Sequence, residues 1–321
     1  MTAGFIINPK ARGGKGGGHK LADALAGKPG LRTERLDRFD DLAAILKTFG
    51  REGIATLFIS GGDGTVQATQ TLLAENKWFE TMPRLALLAH GSTNMDASTL
   101  GFKPRDPDRI MEIAASDSYL ARATDVKQRH TIRVANPREG GPRHGMFIGS
   151  GAIWRATQYC QSVIHEKGLR GDWATFTTLA AVIGRFVLGR ENEDDENRIA
   201  RPYHMNVETD GESMIDADQL VFLATTLESL ILGAKPFWGR QNGEMRITTV
   251  DFPPPNIPMN ILKVMYGIPS RNLPAGCRSR PATSVEITTG SSFVIDGEFF
   301  DPPRDEPLRL ELGHKFSYLC G

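Results

Sequence analysis

The sequence is short of what several protein classes require. Cysteine is scarce: Cys160, Cys277 and Cys320 are the only three among 321 residues. Odd in number and far apart, they make no disulfide framework and no metal-ligand spacing, which is the pattern of reduced thiols in a cytoplasmic protein. An excess of charge is missing too, since 38 Lys and Arg balance 38 Asp and Glu for a formal net charge of zero. Nothing global draws nucleic acid or an anionic membrane, and no nucleic-acid partner is expected, although local basic patches stay open. Long hydrophobic runs are absent. The nearest, Leu179 to Leu188, is broken by Gly184 and Arg185 and is too short to cross a bilayer. The start, Met1-Thr2-Ala3-Gly4-Phe5-Ile6-Ile7-Asn8, lacks a basic segment followed by a long apolar core, so no signal peptide is expected. What remains is ordinary globular composition, 40% hydrophobic and 24% charged, in a chain long enough for about two domains.

Glycine, by contrast, is plentiful, and its clusters organise the first third of the chain. The apolar run Ile54-Ala55-Thr56-Leu57-Phe58-Ile59 leads into Ser60-Gly61-Gly62-Asp63-Gly64-Thr65 and then a helical pattern from Val66 to about Asn76. That order reads as buried strand, glycine turn and helix N-terminus. Such a terminus presents unpaired N–H groups and suits a phosphate. Asp63 is the odd residue there: it is either an N-cap or an acid with metal or proton work to do. Two more strands, Gly4–Ile7 and Arg84–Ala89, run into polar turns of the same kind. One is Asn8-Pro9-Lys10-Ala11-Arg12 followed by glycines and Lys15, the other His90-Gly91-Ser92-Thr93-Asn94. The first is neither a P-loop nor a Gly-x-Gly-x-x-Gly fingerprint, and a plain polar loop is its bland alternative. Arg32–Leu36 adds a strand, and Asp40–Phe49 and Pro104–Ala115 read as helices. Alternating strands and helices predict a parallel sheet, whose ligands sit beyond the carboxyl ends of the strands. All three turns then fall on one edge.

From about Leu120 the pattern changes. Tyr119–Lys127, Thr131–Ala135, His144–Gly149, His204–Glu208, Gln219–Thr225, Glu244–Asp251, Ser284–Thr288 and Phe293–Ile295 read as short strands, with helices over 152–166 and 173–188. The expected division is an α/β nucleotide-binding domain over 1–119 and a mainly β domain over 120–321. The last segment, from about 294, returns towards the cleft between them. The acidic run 190–198 reads as a solvated loop.

Four ordered blocks resemble the diacylglycerol kinase catalytic-domain superfamily, the lipid kinases that include sphingosine, ceramide and bacterial diacylglycerol kinases. They are Phe5-Ile6-Ile7-Asn8-Pro9, Gly61-Gly62-Asp63-Gly64-Thr65, Leu87-Leu88-Ala89-His90-Gly91-Ser92-Thr93-Asn94, and Val294-Ile295-Asp296-Gly297-Glu298. The resemblance implies ATP and Mg²⁺ in a cleft between the two domains. Asn8, Pro9, Lys10, Arg12, Gly61, Gly62, Gly64, Thr65, Gly91, Ser92, Thr93, Asn94 and Asp296 would line the nucleotide. Arg170 would reach it from the 165–172 stretch, whose bland alternative is a solvated helix end. Asp63 would be the base and Glu298 its partner, both near the metal, although Asp-Gly is also a strong hairpin pair.

Two departures bear on the substrate. Asn94 is followed by Met95, with the acid slipping to Asp96, and the usual structural-magnesium stretch reads Gln241-Asn242-Gly243. Sphingosine kinases place an acid for the lipid amine just after their mid-domain glycine motif. Gly151-Ala152-Ile153-Trp154-Arg155-Ala156 has none, so the resemblance implies a neutral lipid, ceramide or diacylglycerol, as partner. It would be reached by peripheral contact of a cytoplasmic protein with a membrane. A homodimer is left open. The alternatives are an NAD kinase-like enzyme and a non-catalytic lipid- or nucleotide-binding relative.

Overall fold

Each apolar strand of the first third runs into a polar turn and then a helix, and the chain keeps that rhythm in three dimensions. The structure is a computed structural model that describes residues 2–11, 17–28, 30–91, 94–123, 125–167, 199–230, 233–237, 245–254, 260, 263–266 and 273–321. It divides into two units, Met1–Arg129 with His314–Gly321, and His130–Gly313.

In the first unit, strands β1 (Thr2–Ile7), β2 (Arg32–Arg35), β3 (Ile54–Gly61) and β4 (Arg84–Ala89) lie in the order β2-β1-β3-β4. All are parallel, with Phe5 beside Thr33 and Phe58, and Phe58 beside Ala86. The end of the C-terminal strand Leu308–Leu319 joins this sheet, setting Tyr318 parallel beside Leu85. Helices α1 (Gly18–Leu25), α2 (Leu42–Arg51), α3 (Asp63–Glu75), α4 (Met95–Leu100), α5 (Pro107–Ala115) and α6 (Asp117–Arg122) connect the strands.

Both faces of the sheet are covered, which is why its strands are apolar without alternation. Ala3, Phe5 and Ile7 pack with Leu21, Leu25, Ile110 and Leu319, while Ile6 between them is also fully buried. Phe5 stacks on Phe58 at 4.6 Å, and Phe102 meets Phe58 edge-on at 5.5 Å. On α2 the buried residues Leu42, Leu46 and Phe49 recur at the spacing of one helical face.

One sequence expectation fails here. Residues 119–127 read as a strand, but α6 occupies Asp117–Arg122 and the next strand starts only at Val126. Ser116 explains the difference. Its hydroxyl accepts from the Tyr119 N–H at 3.3 Å, and Asp117 in the first turn complements the helix dipole. With Leu120 fully buried, one apolar anchor is enough to hold the turn.

The second unit is built from β5 (Val126–Val134), β6 (Arg143–Gly145), β7 (Phe147–Gly151), β8 (Tyr203–Thr209), β9 (Glu212–Thr225), β10 (Met245–Asp251), β11 (Cys277–Ala282), β12 (Ser284–Thr289), β13 (Phe293–Ile295), β14 (Glu298–Phe300) and β15 (Leu308–Leu319). Its one described long helix, α7 (Ala152–Lys167), follows β7 directly. The strand order is β14-β13-β7-β9-β8-β12-β15, with β10 and β11 continuing from β9, and β5 and β6 from β15. These pairings are antiparallel, for example Ile148 with Ala224 and Ile287 with Leu308. Inward residues such as Met205, Val207, Phe222, Ile247, Val285 and Leu310 make one apolar core. The expected helix over 173–188, the acidic run 190–198 and the Gln241-Asn242-Gly243 stretch lie outside the described residues.

Candidate functional site

Parallel strands deliver their carboxyl ends to one edge, and in the first unit that edge collects the three polar turns. Asn8, just past β1, donates its backbone N–H to the Ser60 carbonyl at 2.8 Å. Its side-chain amide donates to Thr65 Oγ1 at 3.0 Å, and its Oδ1 accepts from the Lys10 N–H at 3.0 Å. Pro9 is buried, and the exposed Lys10 sends Nζ to the Asp37 carbonyl at 2.7 Å.

The turns after β3 and β4 touch backbone to backbone. A Cβ on Gly91 would lie 2.2 Å from the Gly62 Cα, an overlap no neighbour can relieve, since what it meets is main chain. Asn94, in the left-handed region at φ 48°, closes the second turn. Its Oδ1 accepts from Gly91 N at 2.8 Å and its Nδ2 donates to Gly91 O at 2.7 Å. Gly61 and Gly62 precede α3, and Gly64 is its second residue.

Asp63 is not the cap of its own helix; Gly62 holds that position. The Asp63 carboxylate instead accepts from the N–H groups of Met95 at 3.1 Å and Asp96 at 3.4 Å, the first residues of α4. The starts of two helices therefore converge on one acid. Burial pushes the Asp63 carboxyl up from 3.8 to about 6, and the two amide donors pull the other way without cancelling it. An acid of that strength is ionised at neutral pH yet still takes up a proton readily.

Sequence reasoning missed a second pair. The fully buried Ser60 hydroxyl lies 2.8 Å from His90 Nδ1, joining the end of β3 to the turn after β4. Burial lowers the His90 pKa from its ordinary value, favouring the neutral ring. A serine closing one buried strand and a histidine just past its parallel neighbour was the available signal.

In the second unit, Asp296 and Gly297 form the two-residue turn of the β13–β14 hairpin, at φ 47° and 91°, with Ile295 paired to Glu298. The strong turn pair thus does make a hairpin. Asp296 is buried, and its carboxylate accepts from Phe147 N at 2.8 Å and Met146 N at 3.1 Å. Glu298, the first residue of β14, is exposed. Arg12, Ser92, Thr93 and Arg170 lie outside the described residues.

The edge of the first unit fits a nucleotide better than a metal held by protein alone. Gly61, Gly62 and Gly91 keep the backbone bare at their positions, and the thirteen-residue α3 starts beside them. Among the described residues no three His, Cys, Asp or Glu side chains gather as a metal site. Mg²⁺ carried by nucleotide phosphates needs only one or two carboxylates, and Asp63 supplies one.

Residues 2–126 match the family model of the diacylglycerol kinase catalytic domain. That segment, about two fifths of the chain, is similar to the diacylglycerol kinase catalytic domain. All three turns and Asp63 lie within the matched segment. The two-domain fold, α/β then mainly β, recurs in a diacylglycerol kinase from Bacillus anthracis. That protein is 17% identical, and the match covers 100% of this chain and 97% of the other at a TM-score of 0.64. A second protein of that bacterium, described only provisionally as a diacylglycerol kinase, is 19% identical over 100% and 97% with a TM-score of 0.66. None of the curated proteins matches the chain. Among the described residues no helix is long and apolar enough to cross a membrane.

Proposed function

We propose that the chain is a lipid kinase that moves the γ-phosphoryl group of Mg²⁺-ATP to the primary hydroxyl of a neutral lipid, ceramide or diacylglycerol. The observation that carries this is Asp63, a carboxylate tuned to about 6 among bare glycine turns inside a segment similar to the diacylglycerol kinase catalytic domain. Mg²⁺-ATP, when bound, supplies the phosphoryl group and neutralises its charge. Asn8, Gly61, Gly62, Gly91 and Asn94 would line the nucleotide, the glycines leaving room beside the backbone. Asp63 accepts the proton of the attacking hydroxyl. Glu298, exposed and acidic, is the candidate second carboxylate on residue type alone.

The neutral-lipid assignment draws on the start of α7. Arg155 there donates to the Tyr203 hydroxyl and lies over the Trp154 ring, so the stretch presents a cation where a lipid amine would need an acid. The lipid would be met by peripheral contact with a membrane surface. The test is radiolabelled ATP with Mg²⁺ and a matched panel of ceramide, diacylglycerol, sphingosine and NAD, products separated by polarity. Label in a neutral lipid is the expected result. Label in NAD alone, or ATP use that never depends on lipid, overturns the reading.

A further inference from the structure

One imidazole touches all three turns of the nucleotide edge. His90 belongs to the turn after β4 and bonds Ser60 at the end of β3 through Nδ1. Its other nitrogen faces the start of α1: a Cβ on Gly17 would lie 2.7 Å from Nε2 and 2.9 Å from Cδ2. Gly17 thus leaves Nε2 uncovered at that position. Ser60 is wholly buried and its hydroxyl meets Nδ1; where that hydroxyl donates, Nδ1 is the accepting nitrogen. That leaves the proton on Nε2. No described residue takes a hydrogen bond from it, and the ring is only partly buried, so an acceptor from outside the protein can reach it.

We infer that His90 is a nucleotide-binding residue of this chain, its Nε2–H donating to a phosphate oxygen, with Ser60 fixing the tautomer that makes this possible. The inference rests on the kinase reading above and assigns it a donor. A neutral imidazole donates to an anion without adding charge, so it orients the phosphate chain while Asp63 stays basic.

The experiment separates packing from donation. His90→Asn keeps an amide where Nδ1 meets Ser60 and removes the distal donor, whereas His90→Gln carries a donor out to about the Nε2 position. The probe is a non-hydrolysable ATP analogue with Mg²⁺, titrated by calorimetry. His90→Asn is expected to weaken binding by roughly 10- to 100-fold, the worth of a hydrogen bond to a charged group, and His90→Gln to restore most of it. Imidazole ¹⁵N resonances of the wild type provide a readout free of mutation. They should show protonated Nε2 and bare Nδ1 before ligand, and a shift of Nε2 on adding the analogue. Unchanged affinity in His90→Asn overturns the inference and leaves the kinase reading standing, as does a proton found on Nδ1. A wild type that binds no nucleotide overturns both.

Discussion

Replacing Asp63 by Asn probes chemistry and stability at once, with opposite signs. Burial raises the folded carboxyl from 3.8 to about 6, so the folded state holds its proton more tightly than the unfolded chain. The sign follows directly. Below pH 3.8 both states are protonated and there is no penalty. As pH rises from 3.8 to 6 the unfolded chain ionises first and folding stability falls, levelling off above 6. The full span of about 2 units corresponds to about 3 kcal/mol. Between pH 5 and 8 the wild type should lose about 1.4 kcal/mol that Asp63→Asn keeps. Asn offers one acceptor to the two amides of Met95 and Asp96, which gives back roughly 1 kcal/mol at all pH values. Urea unfolding of both proteins across that pH range measures the difference. Turnover on lipid should fall by about 10²–10⁴-fold, the usual contribution of a general base. Parallel pH profiles would refute the burial argument, and near-normal turnover would refute the base.

Other consequences can be checked with simpler assays. Gly91→Ala forces a methyl against the Gly62 backbone and should cost about 1–3 kcal/mol, lower the melting midpoint and abolish nucleotide binding. Burial pushes the Cys160 and Cys277 thiols up to about 11, so a thiol reagent at pH 8 should react slowly with native protein and fast after denaturant. Tyr318→Phe removes the hydroxyl that accepts from the buried Gln70 amide and should destabilise the first unit by about 1–3 kcal/mol.

The parts of this molecule legible in the sequence are those encoded by local chemistry. A buried run followed by glycines and one polar side chain can do little but end a strand and open a helix, so the turns at Asn8, Asp63 and Asn94 could be read directly. The contacts of Asp63 could not. Its partners, the amides of Met95 and Asp96, depend on how two helices meet, and no spacing along the chain reveals that. The Ser60–His90 bond hides for the same reason, being a matter of register between neighbouring parallel strands. Asp296 stood out for its position in a motif, yet its buried carboxylate is spent on the backbone of Met146 and Phe147. Helix α6 was misread because a capping serine outweighed a short apolar run. Strand β15 went unmarked although Leu308, Leu310 and Leu312 alternate with Arg309 and Glu311, a period-two signal weakened further on by Gly313 and His314.

The closing strand also bears on the order of events at the ribosome. His314–Gly321 belongs to the first unit, where Tyr318 lies beside Leu85 and meets Gln70 across 248 positions of sequence. The first unit therefore waits for a short segment made after the second unit. Until that segment emerges, the parallel sheet has an unfilled edge at β4, the strand that carries His90 and Gly91 at its tip. A nascent or clipped chain ending before His314 is expected to hold a loosened nucleotide edge, however well its own glycine turns are encoded. Residues 314–321 thus tie the polar-turn edge of the first unit to synthesis of the whole second unit.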